Sequence, residues 1–322
     1  MIVLSSVCRI CTQVGAEIFG GEILDSQKRI MYALMVFLMF AWGLEYIFAK
    51  HALETFQPIT LLFFKYVVGF TVVLLIKLKK DGKTIVRKQD IPIFLLCSIL
   101  GEIGYFSFEY TAMDYLPISL ITIVLAFVPA LSIIIDRVVF KKKATRKMGI
   151  GIALSILGIA MIIGVDYQIL FEGRLIGYLL AFGAVLTWNL YNFITASLHD
   201  HYDSATLTLN QLICTILLTW PYALTHLPSQ GAVTASVIGG IIYLGTLSAG
   251  VGFLIQVKSL HILGPTTTSM FSNFLPITTT LFGWLFLGET ITMIQVVGGV
   301  IVITAGYIVI KEKGKAEESS ND

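Results

Sequence analysis

The chain has 322 residues, of which 56% are hydrophobic and 13% are charged, and its mean hydropathy is +0.86. A soluble protein of this length carries about a quarter of its residues as charges, so the composition excludes a soluble globular protein. The formal net charge of +2 gives no reason to expect a nucleic-acid partner. The four cysteines are scattered, and Cys8 and Cys11 form a lone C-x-x-C, so we expect neither a metal site nor a cofactor.

The first part of the chain, residues 1–30, contains an apolar run too short to cross a membrane, and we expect an N-terminal cytoplasmic tail there. Ten apolar segments follow, each near the length of about 20 helical residues that crosses ~30 Å of hydrocarbon. They lie at 32–49, 58–76, 91–113, 116–136, 148–165, 175–195, 204–225, 233–256, 262–287 and 291–310. The pattern predicts an all-α integral membrane protein with ten transmembrane helices, followed by a charged C-terminal tail at 312–322.

The basic residues predict the orientation of these helices. If the N-terminus lies in the cytoplasm, 19 of the 22 Lys and Arg residues fall in cytoplasmic segments. Only Lys50 and Arg174 fall outside, and Lys65 lies within a span. Basic residues concentrate on the cytoplasmic side of membrane proteins, so both termini are predicted to be cytoplasmic.

Short sequence matches relate the two halves of the chain. Trp42-Gly43-Leu44 recurs as Trp188-Asn189-Leu190 at an offset of 146 residues, and five further matches follow in order at nearly the same offset. Each half contains five helices, an odd number, so the second half enters the membrane from the opposite side. The sequence therefore predicts two inverted five-helix repeats, at 31–166 and 167–311.

With this organisation the chain resembles the drug/metabolite transporter superfamily, and within it the ten-helix EamA-type transporters, over roughly residues 30–310. Besides the two halves, the resemblance is carried by short motifs: Trp42-Gly43, the paired prolines Pro117, Pro129, Pro265 and Pro276, the turn Leu287-Gly288-Glu289, and the Gly-rich fifth and tenth helices. The first half departs from the pattern because it lacks the Leu-Gly-Glu turn.

The resemblance implies a secondary transporter in the cell membrane and no enzymatic activity. It implies export of amino acids or similar small metabolites by alternating access around a central cavity. The sequence contains no motif that is diagnostic of one substrate. The Gly-rich fifth and tenth helices allow close helix approach, and we interpret them as scaffold or as the contact of a homodimer.

Two charged residues within the first half are the strongest site candidates. Glu45 and Lys65 each lie about 4–6 Å outward from the middle of their helices, so an ion pair between them fits their depths. A charge in hydrocarbon costs about 2.5–3.5 kcal/mol, so both should face the protein interior. Trp42, Glu45 and Tyr46 share one helix face. A structural salt bridge and a substrate site explain the pair equally well.

Further candidates lie in the third helix and in the second half. Glu102 and Glu109 share a face of the third helix, and Trp188 matches Trp42. The second half offers neutral polar residues at similar depths, namely Asn189, Asn192, Asn210, Gln211 and Asn273. Among them, Gln211 occupies the position that matches Lys65 of the first half. The alternative role for these side chains is hydrogen bonding between helices. The two halves would then form one charged and one neutral polar wall of a central cavity, which would suit a small zwitterion. Lys65 would bind its carboxylate, and Glu45 or Glu109 would bind its ammonium group.

Two other classes of function compete with transport. An integral-membrane enzyme would need a catalytic cluster, and the sequence contains no H-E-x-x-H, G-x-S-x-G or P-loop motif. A lipid scramblase could also use a polar intramembrane cavity. We therefore expect no catalytic residues, a small-molecule substrate, and the lipid bilayer as the surroundings of the protein.

Overall fold

The computed structural model describes residues 26–79, 86–116, 118–142, 144–163, 175–229, 231–287 and 290–321, and these contain helices and no strand. We number the helical runs α1 (Ser26–Leu53), α2 (Pro58–Leu78), α3 (Lys88–Ala112), α4 (Ile118–Leu125 and Val128–Val138), α5 (Arg146–Ile163), α6 (Leu175–Asp200), α7 (Ser204–Thr225), α8 (Ala235–Ile262), α9 (Pro265–Met270, Phe271–Phe274 and Leu275–Leu287) and α10 (Met293–Asn321).

Within the described residues, nine helices are long and apolar enough to cross a membrane. Their bounds follow the apolar segments of the sequence, and α7 at Ser204–Thr225 coincides with the predicted segment. α9 is not among these nine, and it consists of three short segments. α1 begins at Ser26, inside the expected tail, and α10 continues to Asn321 through the expected C-terminal tail. Cys8, Cys11, Pro117, Arg174 and Gly288-Glu289 lie outside the described residues.

Large apolar side chains cover the outside of the helix bundle. A soluble protein would bury these side chains, whereas a membrane protein presents them to lipid tails. Exposed members of this set from both halves of the chain are Leu75, Leu157, Leu179, Leu217, Met293 and Val300. Polar and charged side chains lie inside instead, including Glu45 and Lys65, which confirms that these two charges face the protein interior.

Irregular helix geometry occurs at matching places in the two halves. α3 widens to a π-helix over Ser98–Tyr105, and α8 does so over Leu244–Gly252; the two segments begin 146 residues apart. α4 is interrupted between Leu125 and Val128, and α9 changes to a tighter helix over Phe271–Phe274. π-helical turns are rare and frequent at functional sites, so their recurrence at one offset extends the sequence matches to backbone geometry.

Glycines bring α5 and α10 into backbone contact. A Cβ atom added at Gly158 would lie 2.8 Å from the Gly298 carbonyl oxygen, and one added at Gly298 would lie 2.6 Å from the Gly158 carbonyl oxygen. A Cβ atom at Gly151 would meet Val309 at 2.6 Å. Small residues permit such close packing of membrane helices. These glycines therefore serve a contact within the chain, which is the scaffold role considered for them.

Candidate functional site

A cavity of about 520 Å³, which includes its opening, lies between α1, α3, α4, α6 and α9. Aromatic and carboxylate side chains dominate the wall, whose residues are Trp42, Glu45, Tyr46, Ala49, Tyr105, Phe106, Glu109, Tyr110, Leu125, Val128, Trp188, Ser272 and Leu275. Five of the candidates from the sequence are among them, namely Trp42, Glu45, Tyr46, Glu109 and Trp188.

The Glu45 carboxylate forms one edge of the cavity and is held by three donors. Lys65 Nζ lies 2.5 Å from Glu45 Oε1, and the Tyr110 hydroxyl donates to the same oxygen at 3.2 Å. The Ser248 hydroxyl donates to Glu45 Oε2. The ion pair that the equal depths of Glu45 and Lys65 indicated is thus present, and it joins α1 and α2. Ser248 extends it to the π-helical segment of α8.

Lys65 lies behind this carboxylate rather than on the cavity wall. Its side chain is 0% exposed, and its Nζ atom lies 3.6 Å from the centroid of the Phe106 ring. An ammonium group over an aromatic face is stabilised by the ring quadrupole, most strongly where water is excluded. The charge of Lys65 is therefore balanced by Glu45 and covered by Phe106, which separates it from the cavity.

Glu109 is the second carboxylate of the wall, and its partners are neutral. The Tyr46 and Tyr105 hydroxyls donate to Glu109 Oε1 at 2.7 and 2.9 Å. Within the described residues Glu109 forms no ion pair. Glu45 and Lys65 compensate each other, so Glu109 is the carboxylate of this cavity that lacks a cation in contact.

Aromatic rings form the rest of the wall around the carboxylates. The Trp42 and Trp188 rings, which match each other across the sequence repeat, meet edge to face with centroids 5.8 Å apart. Tyr105 lies against Trp188 with centroids 4.8 Å apart. Such rings bind apolar groups and also attract cations through their faces. The wall can therefore hold a body that is apolar at one end and cationic at the other.

The neutral polar candidates of the second half are not among the cavity-lining residues. Asn189 accepts a hydrogen bond from Ser132 at 2.5 Å and donates to the Val185 carbonyl. Asn192 accepts from Gln256, and Asn210 donates to the Thr206 carbonyl. Gln211 donates a hydrogen bond to the Thr195 hydroxyl and accepts one from the Tyr191 hydroxyl. Asn273 donates a hydrogen bond to the Ser155 hydroxyl. These amides form hydrogen bonds within and between helices.

Glu102, the remaining candidate, is also separate from the cavity lining. It lies in the π-helical segment of α3 and is 0% exposed. In the part of the chain that the structure describes, neither of its carboxylate oxygens has a hydrogen-bond partner, whereas its backbone carbonyl accepts from the Tyr66 hydroxyl at 3.1 Å. The shared helix face of Glu102 and Glu109 therefore does not place both carboxylates on one wall.

Several cavity residues were not identified from the sequence as candidates. Tyr105, Phe106 and Tyr110 surround the two carboxylates, and Ser248 reaches Glu45 from α8. The usable signal is the i, i+4 spacing of Tyr105 with Glu109 and of Phe106 with Tyr110. It places three aromatic residues and a carboxylate on two adjoining rows of the helix. Ser248 gives no such signal, since a serine in a membrane helix is ordinary.

A polar layer joins α4, α6, α9 and α10 on the side of the cavity where the Lys142 loop lies. The Ser132 and Ser269 hydroxyl oxygens are 2.8 Å apart, which places α4 against α9. Asp136 lies one turn beyond Ser132 and accepts from the Thr266 hydroxyl. Its carboxylate also lies 3.1 Å from Lys142 Nζ and 3.8 Å from Lys313 Nζ.

A model of the EamA-like transporter family matches residues 29–164 and 175–311 of the chain. The protein belongs to the EamA-like transporter family. This confirms the resemblance drawn from the sequence. A family member of this kind, with its apolar helices, is a multi-pass protein of the cell membrane that transports a small molecule.

Individual relatives of this EamA-like transporter align over most of its length. An Archaeoglobus fulgidus protein named an uncharacterized transporter is 24% identical, over 89% of this chain and 100% of the relative. A Salmonella typhimurium protein named a probable amino-acid metabolite efflux pump is 23% identical, over 88% of this chain and 95% of the relative. A solved crystal structure superposes with a TM-score of 0.71 at 13% identity, covers 85% of this chain and 95% of the other, and shows a shared fold.

Proposed function

We propose that this EamA-like transporter is a secondary transporter that exports amino acids or similar small metabolites by alternating access around the cavity. Glu109 carries the proposal, because within the described residues it is a carboxylate of the aromatic cavity wall without a cation in contact. An ammonium group of the substrate would supply the missing charge. The Salmonella typhimurium relative, named a probable amino-acid metabolite efflux pump, supports both the substrate class and the direction.

The proposed topology has ten membrane helices in two inverted repeats, at 31–166 and 167–311, with both termini in the cytoplasm. The basic residues support this orientation. The recurrence of the π-helical segments in α3 and α8 supports the repeat. In this topology α9 is the ninth of the ten spans, and its three segments form one continuous run across the membrane.

This topology places the cavity in the outer half of the membrane. Glu45 lies in the second half of α1, and Glu109 lies near the end of α3, both beyond the midpoint of helices that run outward. The polar layer of Ser132, Ser269 and Asp136 lies on the cytoplasmic side. The conformation is therefore outward-facing, with the cytoplasmic path closed by contacts between α4 and α9. Alternating access requires these contacts to separate while the outer side closes.

The candidate residues take two roles in this proposal. Trp42, Tyr46, Glu109 and Trp188 contact the substrate, and Glu45 contributes the buried edge that Lys65 neutralises. Asn189 belongs to the contact that closes the cytoplasmic side, because it accepts a hydrogen bond from Ser132. Asn192, Gln211 and Asn273 form hydrogen bonds between helices, and Asn210 forms one within α7. Glu102 is a buried carboxylate within the π-helical segment of α3.

Counterflow in proteoliposomes tests the proposal. Vesicles loaded with an unlabelled substrate should accumulate the labelled compound from outside without ATP, because a secondary carrier exchanges substrate across the membrane. A panel of amino acids and their derivatives identifies the compound. Absence of counterflow for every member of the panel, together with rapid movement of labelled phospholipid, would contradict the proposal and favour a scramblase.

A further inference from the structure

We infer that the cavity selects its substrate through an ammonium group and an apolar, preferably aromatic, body, and that a carboxylate on the substrate weakens binding. The preferred class is then amines, amides and esters related to amino acids rather than free amino acids. This inference rests on the proposed function, because it takes the same cavity as the transport site, and it narrows the substrates of that site.

The charges of the cavity wall are one-sided. Its described lining includes two carboxylates, Glu45 and Glu109, and no Lys, Arg or His side chain. Lys65 is the nearby cation, but its Nζ atom already lies 2.5 Å from Glu45 and its side chain is fully buried. A substrate carboxylate would have to displace Glu45 from Lys65 to find a cation.

Displacing Glu45 is costly because three groups hold it. Lys65, Tyr110 and Ser248 all donate to its carboxylate, and a buried charge that loses its partner loses several favourable contacts at once. Phe106 also covers the ammonium group of Lys65 at 3.6 Å. A substrate carboxylate in the cavity would in addition face Glu109 and Glu45 as like charges. Such repulsion discriminates between related ligands as effectively as a new attraction does.

An ammonium group meets the opposite conditions. Glu109 holds hydrogen bonds from Tyr46 and Tyr105 but no ion pair within the described residues. The rings of Tyr105 and Trp188 stand beside it, with centroids 4.8 Å apart, and they can stabilise a cation and an apolar body together. Glu109 is therefore the group that the ammonium ion of the substrate neutralises.

Pairs of compounds that differ only in the carboxylate test this inference on the purified, full-length protein. We would measure dissociation constants by titration calorimetry for phenethylamine against phenylalanine, and for leucinamide against leucine. The amine or amide of each pair should bind at least tenfold more tightly. Glu109→Gln, which keeps the shape of the side chain, should remove this preference while its melting temperature stays close to that of the wild type.

The matched control is Glu54→Gln, because Glu54 is an exposed carboxylate whose side chain is 70% accessible and which pairs with His51. It should leave the preference unchanged. The inference would be overturned if the wild-type protein bound the free amino acids as tightly as the amines and amides, or more tightly. It would also be overturned if neither compound of each pair bound. Amino-acid counterflow without an amine preference would defeat this inference alone, whereas the absence of all counterflow would defeat the proposed function.

Discussion

Lys65 Nζ lies 2.5 Å from Glu45 Oε1, and the two side chains are 0% and 8% exposed. They come from adjacent helices, α1 and α2, so the pair links the first two spans of the chain at the depth of the cavity. The pair is neutral as a unit. The charge that the cavity presents to a ligand is consequently that of Glu109, about two helical turns away from Glu102 and on a different helix from Glu45.

The Glu45–Lys65 pair should be essential for stability. Replacement of one partner leaves an uncompensated buried charge, which typically costs about 3–5 kcal/mol. Glu45→Gln and Lys65→Gln should each lower the melting temperature of the purified protein markedly. The double variant should recover much of that loss, because it removes both charges together. Melting curves of the three variants in one detergent measure these effects.

Additive losses in the double variant would contradict this account of the pair. Transport assays on the same variants test the other role considered for Lys65, which is direct contact with the substrate. A stable Lys65→Gln protein whose only defect is weaker binding of substrates that carry a carboxylate would show that Lys65 contacts the substrate directly.

The contact of α5 with α10 gives a prediction with a control in the partner helix, α10. Gly158→Ala would place a Cβ atom 2.8 Å from the Gly298 backbone oxygen, and overpacking of this kind costs about 1–3 kcal/mol. Gly299→Ala should have no such cost, since an added Cβ atom there has nothing within 4 Å. Thermal melting of both variants tests the contact; equal stability would show that the helices separate without cost.

The sequence predicts the membrane helices well because span length and apolar content are direct consequences of bilayer thickness. It also predicts the Glu45–Lys65 pair, since two charges at one depth in hydrocarbon stabilise each other. The helical segments of α9 and the π-helical parts of α3 and α8 were not predicted. They depend on how neighbouring helices pack, and local residue preferences do not encode that packing.

The cavity wall was predicted only in part for a related reason. The charged residue Glu45 shares a helix face with Trp42 and Tyr46. This face must point into the protein, because exposing the charge of Glu45 to lipid is costly. Asn189 and Gln211 carry no charge, and an amide can bond to a neighbouring helix at any depth. Their direction is set by partners such as Ser132 and Thr195, which only the folded structure identifies.

The proposed orientation can be tested by labelling single cysteines in intact cells. Lys142→Cys and Lys315→Cys replace side chains that are 46% and 60% exposed and that lie at the proposed cytoplasmic side. They should resist an impermeant thiol reagent until the membrane is opened. Glu54→Cys, in the proposed external turn between α1 and α2, should react at once. Labelling of Lys142→Cys from outside would reverse the orientation.

Asp203 at the start of α7 gives a prediction about acidity. Burial alone would raise the pKa of its carboxyl group, but hydrogen bonds from Lys77 and Thr206 outweigh burial and lower the pKa to about 2. An unfolded Asp has a pKa of about 3.9. The stabilisation is therefore fully present above about pH 4 and is lost as the pH falls towards 2.

The effect of Asp203 on stability is modest because its side chain is 59% exposed. Asp203→Asn should lower the melting temperature at pH 7, since Lys77 loses its ionic partner. The difference from the wild-type protein should shrink as the pH falls below 4. Melting temperatures across this range measure the shift, and a difference that grows on acidification would contradict it.

Alternating access around the cavity is tested most directly by locking its cytoplasmic closure. The Ser132 and Ser269 hydroxyl oxygens lie 2.8 Å apart, so cysteines at both positions can form a disulfide between α4 and α9. In a background without the four native cysteines, the oxidised double variant should still bind ligand from the outside but show no counterflow, and reduction should restore counterflow. Undiminished counterflow by fully crosslinked protein would contradict the account.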